Sequence, residues 1–161
     1  MHRVLFLVVG AAAVFVWLSS GALPERVASH FMAEGAANGY MPRMQYVTSM
    51  AALVVVVPLL LVSMAKLASY LPTQFVNLPN RQFWLSPERR AIALASFSRF
   101  GVWLACGIVA FLCLVHWFVV QANLLNPPRL EQAPLVTAAA LLLIALFCSI
   151  LVTLRTFLRV P

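Results

Sequence analysis

Leu23-Pro-Glu-Arg-Val-Ala-Ser-His30-Phe-Met-Ala-Glu-Gly35-Ala-Ala-Asn38-Gly39-Tyr40 is a polar stretch set between two apolar runs, each long enough to cross a bilayer. Its reading decides the fold: either a soluble segment flanked by core helices, or a short folded cap between two membrane spans. Composition selects the second. With 63% hydrophobic and 9% charged residues and a mean hydropathy of +0.96, the chain is far from the roughly 25% charged residues of a soluble domain. The formal charge of +7 does not describe a nucleic-acid binder. The Lys and Arg residues stand at the ends of the apolar runs, where they orient the chain and meet lipid headgroups.

Four runs approach the ~20 apolar residues that a spanning helix needs: residues 4–22, 46–71, 97–120 and 134–158. The first follows a short basic start, and a cleaved signal peptide ending near Ser20-Gly21-Ala22 is the competing reading of residues 1–22. The second contains Pro58, which removes a helical N–H and predicts a kink, and ends near Lys66, read as an interfacial anchor. The third carries His116 near its far end, where a lone imidazole is expected to bond a neighbouring helix. Gly101 with Ala105, Gly10 with Ala11 to Ala13, and Ala138 to Ala140 offer small faces for close packing. The expected fold is an all-α membrane domain covering residues 1–161: a four-helix bundle with a hairpin-like outer loop at 23–45 and an inner loop at 72–96.

Orientation follows from charge. The side holding the 72–96 loop and both ends of the chain carries Arg3, Lys66, Arg81, Arg89, Arg90, Arg99, Arg155 and Arg159, against Arg26, Arg43 and Arg129 opposite. The excess puts the termini in the cytoplasm and the Leu23–Tyr40 stretch outside.

Within that stretch, Pro24 ends the first helix, and Gly35, Asn38 and Gly39 supply positions that accept positive φ in a hairpin-like loop. Phe31 and Tyr40 are expected to turn toward the membrane surface or the helix ends. His30 is free to bond a loop group, sense external pH or contact a ligand. In the inner loop, Arg81, Trp84, Glu88, Arg89 and Arg90 read as an interfacial anchor, with Ser86-Pro87-Glu88 as a helix start.

Leu-Pro-x-x-Val-x-x-His-Phe from Leu23 through Val27 to Phe31, followed by Gly35 and Asn38-Gly39-Tyr40 directly after a first span, resembles the signature of the bacterial membrane domain of unknown function 1648. The resemblance covers about the first 70 residues. Pro79-Asn-Arg81, Trp84-Leu and Pro87-Glu-Arg-Arg90 resemble the loop that follows in small members. That family includes the Sdp-type immunity proteins, which protect a producer cell against its own secreted killing peptide. The resemblance implies an inner-membrane, immunity-like role with an extracellular peptide as ligand. This chain departs from them in having four apparent spans and no second half.

Enzymatic chemistry is not expected. The chain has no Asp and only Glu25, Glu34, Glu88 and Glu131; it has no Gly-x-Ser-x-Gly, His-Glu-x-x-His or phosphate-binding loop. No metal or cofactor is expected, because no second ligand stands at metal spacing from His30. Cys106, Cys113 and Cys148 lie inside apolar runs and read as packing residues. Two expectations remain: a sensing or binding module acting through His30, Phe31 and Tyr40, or a structural accessory subunit that meets a membrane partner or a second copy through small-residue faces.

Overall fold

The computed structural model describes residues 2–67, 70–72 and 75–159. The ends of the predicted second span (68 and 69) and of the 72–96 loop (73 and 74) fall partly outside them. Helix α1 (His2–Ser19) closes in a 3-10 turn, Ser20–Ala22. Strands β1 (Arg26–Phe31) and β2 (Ala37–Pro42) follow, then α2 (Arg43–Leu67), the short α3 (Arg81–Trp84), α4 (Arg90–Asn123) and α5 (Gln132–Leu158). Four helices are long and apolar enough to cross a membrane, and the chain is a multi-pass membrane protein. The all-α expectation needs one correction: the hairpin-like loop is a true two-stranded antiparallel sheet.

Periodicity explains the core. On α1, Leu5, Val9, Ala12 and Val16 are buried at helical spacing, a single stripe. It meets Tyr46, Val47, Met50 and Val54 of α2 and Val102, Ala105, Val109, Val119 and Val120 of α4. Three helices therefore build the core, and α5 stands outside it. Phe157 is the one residue of α5 that is buried, and the helix leans on α4 where Leu142 Cδ1 would come within 3.3 Å of a Cβ at Gly107. The outward faces carry Leu7, Trp17, Trp103 and Leu143, all largely exposed. Lipid is the medium that makes such faces favourable.

Of the predicted small-residue faces, the one at Gly101 and Ala105 packs inside the chain, whereas Gly10, Ala11 and Ala140 are exposed. A Cβ on Gly101 would lie 3.0 Å from Ala65 Cβ of α2, and Ala105 is fully buried. Gly101 is taken up by α2 and Ala105 by the core, so neither is available to a partner helix. Pro58 is buried within α2, which runs on through it. The predicted helix start at Ser86-Pro87 is displaced: residues 86–89 form a turn whose Ser86 carbonyl accepts from the Arg89 and Arg90 N–H groups at 3.0 and 2.9 Å, and α4 begins at Arg90.

Candidate functional site

The hairpin is assembled from local rules and then clamped to the bundle. Leu23, ahead of Pro24, takes the extended conformation expected before proline (φ −77°, ψ 143°) and is buried. Its carbonyl accepts from the Arg43 guanidinium at 3.1 Å, and the Arg43 N–H donates to the Glu25 carbonyl at 2.8 Å. Entry and exit of the hairpin are thereby tied together at the start of α2.

The turn lies at Met32–Ala36, not at Asn38-Gly39. Gly35 N–H donates to the Met32 carbonyl at 2.9 Å and Met32 N–H to the Ala36 carbonyl at 2.8 Å, with Gly35 at φ +83°. This is a type I turn closed by a left-handed glycine. Gly35 is required twice, because a Cβ there would also collide with the Leu130 carbonyl oxygen. Asn38 and Gly39 instead belong to β2, and the sequence expectation of positive φ for them is corrected. Gly39 is opposite His30, and a Cβ on it would come within 3.0 Å of His30 Cβ. Close approach, not a turn, is what asks for glycine here.

Hydrogen bonds from Asn123, Leu130 and Gln132 hold the hairpin to the loop and helices on its side of the bundle. Asn123, the last residue of α4, grips Ala28 from both sides: Ala28 N–H donates to Oδ1 at 2.8 Å, and Nδ2 donates to the Ala28 carbonyl at 3.0 Å. Leu130 N–H donates to the Gly35 carbonyl at 2.8 Å. Gln132 Nε2 donates to the Met32 carbonyl. Beneath the hairpin sits His116, fully buried and bonded to two other helices: Nε2 contacts Ser19 Oγ at 2.8 Å and Nδ1 contacts Tyr46 Oη at 3.0 Å. Ser19 Oγ already donates to the Phe15 carbonyl at 2.6 Å. Ser19 is therefore the acceptor of an Nε2–H, and Nδ1 accepts from the Tyr46 hydroxyl. The Tyr46 ring stacks on the imidazole and Phe15 meets it edge-on. The result is a satisfied brace among α1, α2 and α4, in line with the expectation that His116 bonds a neighbouring helix.

The predicted binding residues separate on this scaffold. His30 and Tyr40 are exposed, while Phe31 is half-buried against the core. Tyr40 pairs with Ala28 and His30 with Gly39. Successive residues of β2 point to opposite faces, so Tyr40 does not face His30. The hydrogen-bond partner of His30 is Ser29 Oγ, 3.1 Å from Nδ1. Val27 is buried and pairs with Met41, which packs on the core. The hairpin is thus docked through Val27, Ala28 and Met41, while His30, Met32, Asn38 and Tyr40 are exposed.

At the other end of the bundle the predicted anchor is a second small core. Leu78, Leu85, Ala93 and Phe157 are buried together with Trp84 and Phe97 beside them. Trp84 Nε1–H donates to the Phe157 carbonyl at 2.9 Å, and its ring meets the Phe157 ring edge-on. Asn80, in the left-handed conformation at φ 51°, donates to the Phe157 and Leu158 carbonyls at 3.0 and 3.1 Å. Arg89 lies 3.9 Å over the Phe83 ring, and Arg90 donates to the Leu71 carbonyl at 3.1 Å. Glu88 is exposed, its carboxyl held below the usual range chiefly by its own backbone N–H. Arg81 opens α3 and is exposed. Among the described residues no group of three or more His, Cys, Asp or Glu could hold a metal ion, and the three cysteines are free.

Sequence reasoning missed Asn123, Gln132 and Asn80. Each stands at or beside a helix end, and nothing in the local sequence shows that its side chain satisfies backbone distant in the chain.

Spanning helices and a clamped hairpin define a small multi-pass helical membrane protein. No protein-family model matches the chain, and no curated protein or solved structure is similar to it.

Proposed function

We propose that this is a non-catalytic binding or sensing module of the bacterial inner membrane, with the hairpin outside the cell and the ends of the chain in the cytoplasm. The observation that carries the reading is the clamped hairpin. Asn123, Leu130 and Gln132 fix its backbone to the bundle, leaving the exposed His30, Met32, Asn38 and Tyr40 presented on a backbone with little freedom. Preorganised polar and aromatic groups on a rigid element lower the ordering cost of binding. An extracellular peptide is the ligand class, consistent with the resemblance of residues 23–40 to the domain of unknown function 1648 and its immunity proteins. Catalysis has no support in the brace, because the Ser19 proton is committed to a carbonyl and His116 is fully buried. The excess of Lys and Arg on the side opposite the hairpin supports the orientation.

The test is substitution of His30 or Tyr40 by alanine in cells exposed to the secreted peptides of their own culture. Loss of protection at unchanged protein abundance supports the reading; full protection by both variants overturns it. A membrane-impermeant maleimide should label Tyr40→Cys in intact cells and Arg81→Cys only after permeabilisation, in a chain with its native cysteines replaced by serine. The reverse pattern removes the orientation.

The second reading, a structural accessory subunit, draws on α5, whose outward faces are exposed along the whole helix. Its partner surface is α5, because Gly101 and Ala105 are consumed within the chain. Loss of a co-purifying membrane protein on changing Val136 to Trp, with His30 and Tyr40 variants silent, would favour it.

A further inference from the structure

Two cavities, of about 370 and 400 Å³, lie between α4 and α5 and share Phe100, Trp103 and Ser149. They form one continuous groove open to the membrane side. Its ends differ in chemistry. One end holds Arg99 with the hydroxyls of Ser96, Thr153 and Thr156; the other is walled by Leu104, Gly107, Leu142 and Leu146.

Length and charge define the occupant. From Ser96 to Gly107 the groove follows 11 residues of α4, about 16 Å at 1.5 Å per residue. Half of a ~30 Å hydrocarbon core is about 15 Å, so the groove is as long as one leaflet is deep. Arg99 marks its headgroup end: it lies 24 residues before Asn123, about 36 Å along the helix, which places it at the boundary opposite the hairpin. Arg99 is exposed and makes no hydrogen bond or ion pair with any described residue. A free guanidinium beside hydrocarbon matches a phosphate, which it can take by two parallel hydrogen bonds. Ser96, Thr153 and Thr156 each donate to a carbonyl of their own helix, at 3.1, 2.8 and 3.0 Å. Their oxygens are left as acceptors, suited to a headgroup that brings hydroxyl donors as well as its phosphate.

We propose that the α4–α5 groove is a binding site for one anionic phospholipid of that leaflet, with its phosphate on Arg99, a hydroxylated headgroup on the Ser96, Thr153 and Thr156 oxygens, and an acyl chain along Trp103 toward Leu142. The site does not depend on the function of the hairpin. It also gives a covering to the face of α5 that the rest of the chain leaves open.

The experiment is native mass spectrometry of the full chain released from nanodiscs of equimolar phosphatidylglycerol and phosphatidylcholine with identical acyl chains. The expected result is one retained phosphatidylglycerol, favoured at least ten-fold over phosphatidylcholine. Arg99→Gln should abolish that preference, whereas Arg159→Gln should keep it. Ala145→Phe, which fills the apolar half, should lower retention of both lipids. Circular dichroism of each variant should match the parent, since Arg99 and Ala145 are exposed. Equal retention of the two lipids, an unchanged preference in Arg99→Gln, displacement of the lipid by excess inorganic phosphate, or a lipid-free dimer occupying the groove would each overturn the proposal.

Discussion

Replacing Asn123 by alanine should loosen the hairpin while leaving the helices packed. Asn123 receives the Ala28 N–H and donates to the Ala28 carbonyl, and Ala28 is fully buried. Leaving a buried polar group unmatched costs about 1–3 kcal/mol, so the two groups together place roughly 2–6 kcal/mol on the closed state. At about 1.4 kcal/mol per decade, that range is roughly a 30-fold to 20,000-fold rise in local opening. The Gly35–Leu130, Met32–Gln132 and Leu23–Arg43 ties survive the substitution, so the lower part of the range applies. Hydrogen exchange read by mass spectrometry on the chain in detergent is the assay. Amides of residues 27–31 should exchange at least about 30-fold faster, and those of the α1–α2–α4 core should keep their rates. Unchanged exchange at Ala28 would refute the clamp. Equal acceleration across the helices would show that Asn123 supports the whole bundle instead.

Gly35→Ala should cost more than about 1–2 kcal/mol, the left-handed penalty alone, because its new Cβ also meets the Leu130 carbonyl; faster exchange of the Leu130 amide reads the effect, and Gly10→Ala, with open space around it, should be silent. His116→Leu strands the buried Tyr46 hydroxyl and should lower thermal stability by about 1–3 kcal/mol. Adding Tyr46→Phe should recover part of that loss, since both partners are then apolar; a purely additive double variant would contradict the brace. Asn80→Gly keeps the left-handed backbone but removes the donors to Phe157 and Leu158. Combined with Trp84→Phe it should fray the end of α5, seen as faster exchange at residues 155–159, while Trp84→Phe alone should cost only about 0.5–1.5 kcal/mol.

The spans were legible because apolar run length is a property of neighbouring residues. Boundaries shifted where backbone bonds to other segments decided them, as at Arg43, whose N–H goes to the Glu25 carbonyl, and at Arg90, which follows the Ser86 turn. The hairpin was legible in outline from Pro24 and Gly35, but Asn38-Gly39 is a misleading turn signal: the pair sits in β2, and the requirement on Gly39 comes from His30 across the ladder. Only the three-dimensional register reveals that kind of constraint. Trp84 illustrates the same limit, since an interfacial aromatic and a residue bonded to the Phe157 carbonyl have identical local sequence. The candidate binding residues narrowed for a physical reason. Phe31 is spent on the core, whereas His30 and Tyr40 stay open on opposite faces of the pleat.

The most direct test of the hairpin as a binding surface is a photo-crosslinking amino acid placed at Tyr40 in living cells, with the same group at Val136 on the exposed face of α5 as a control. A discrete peptide adduct at position 40, absent at 136 and lost when His30 is changed to alanine, is the predicted result. Adducts at 136 and none at 40 would contradict the account.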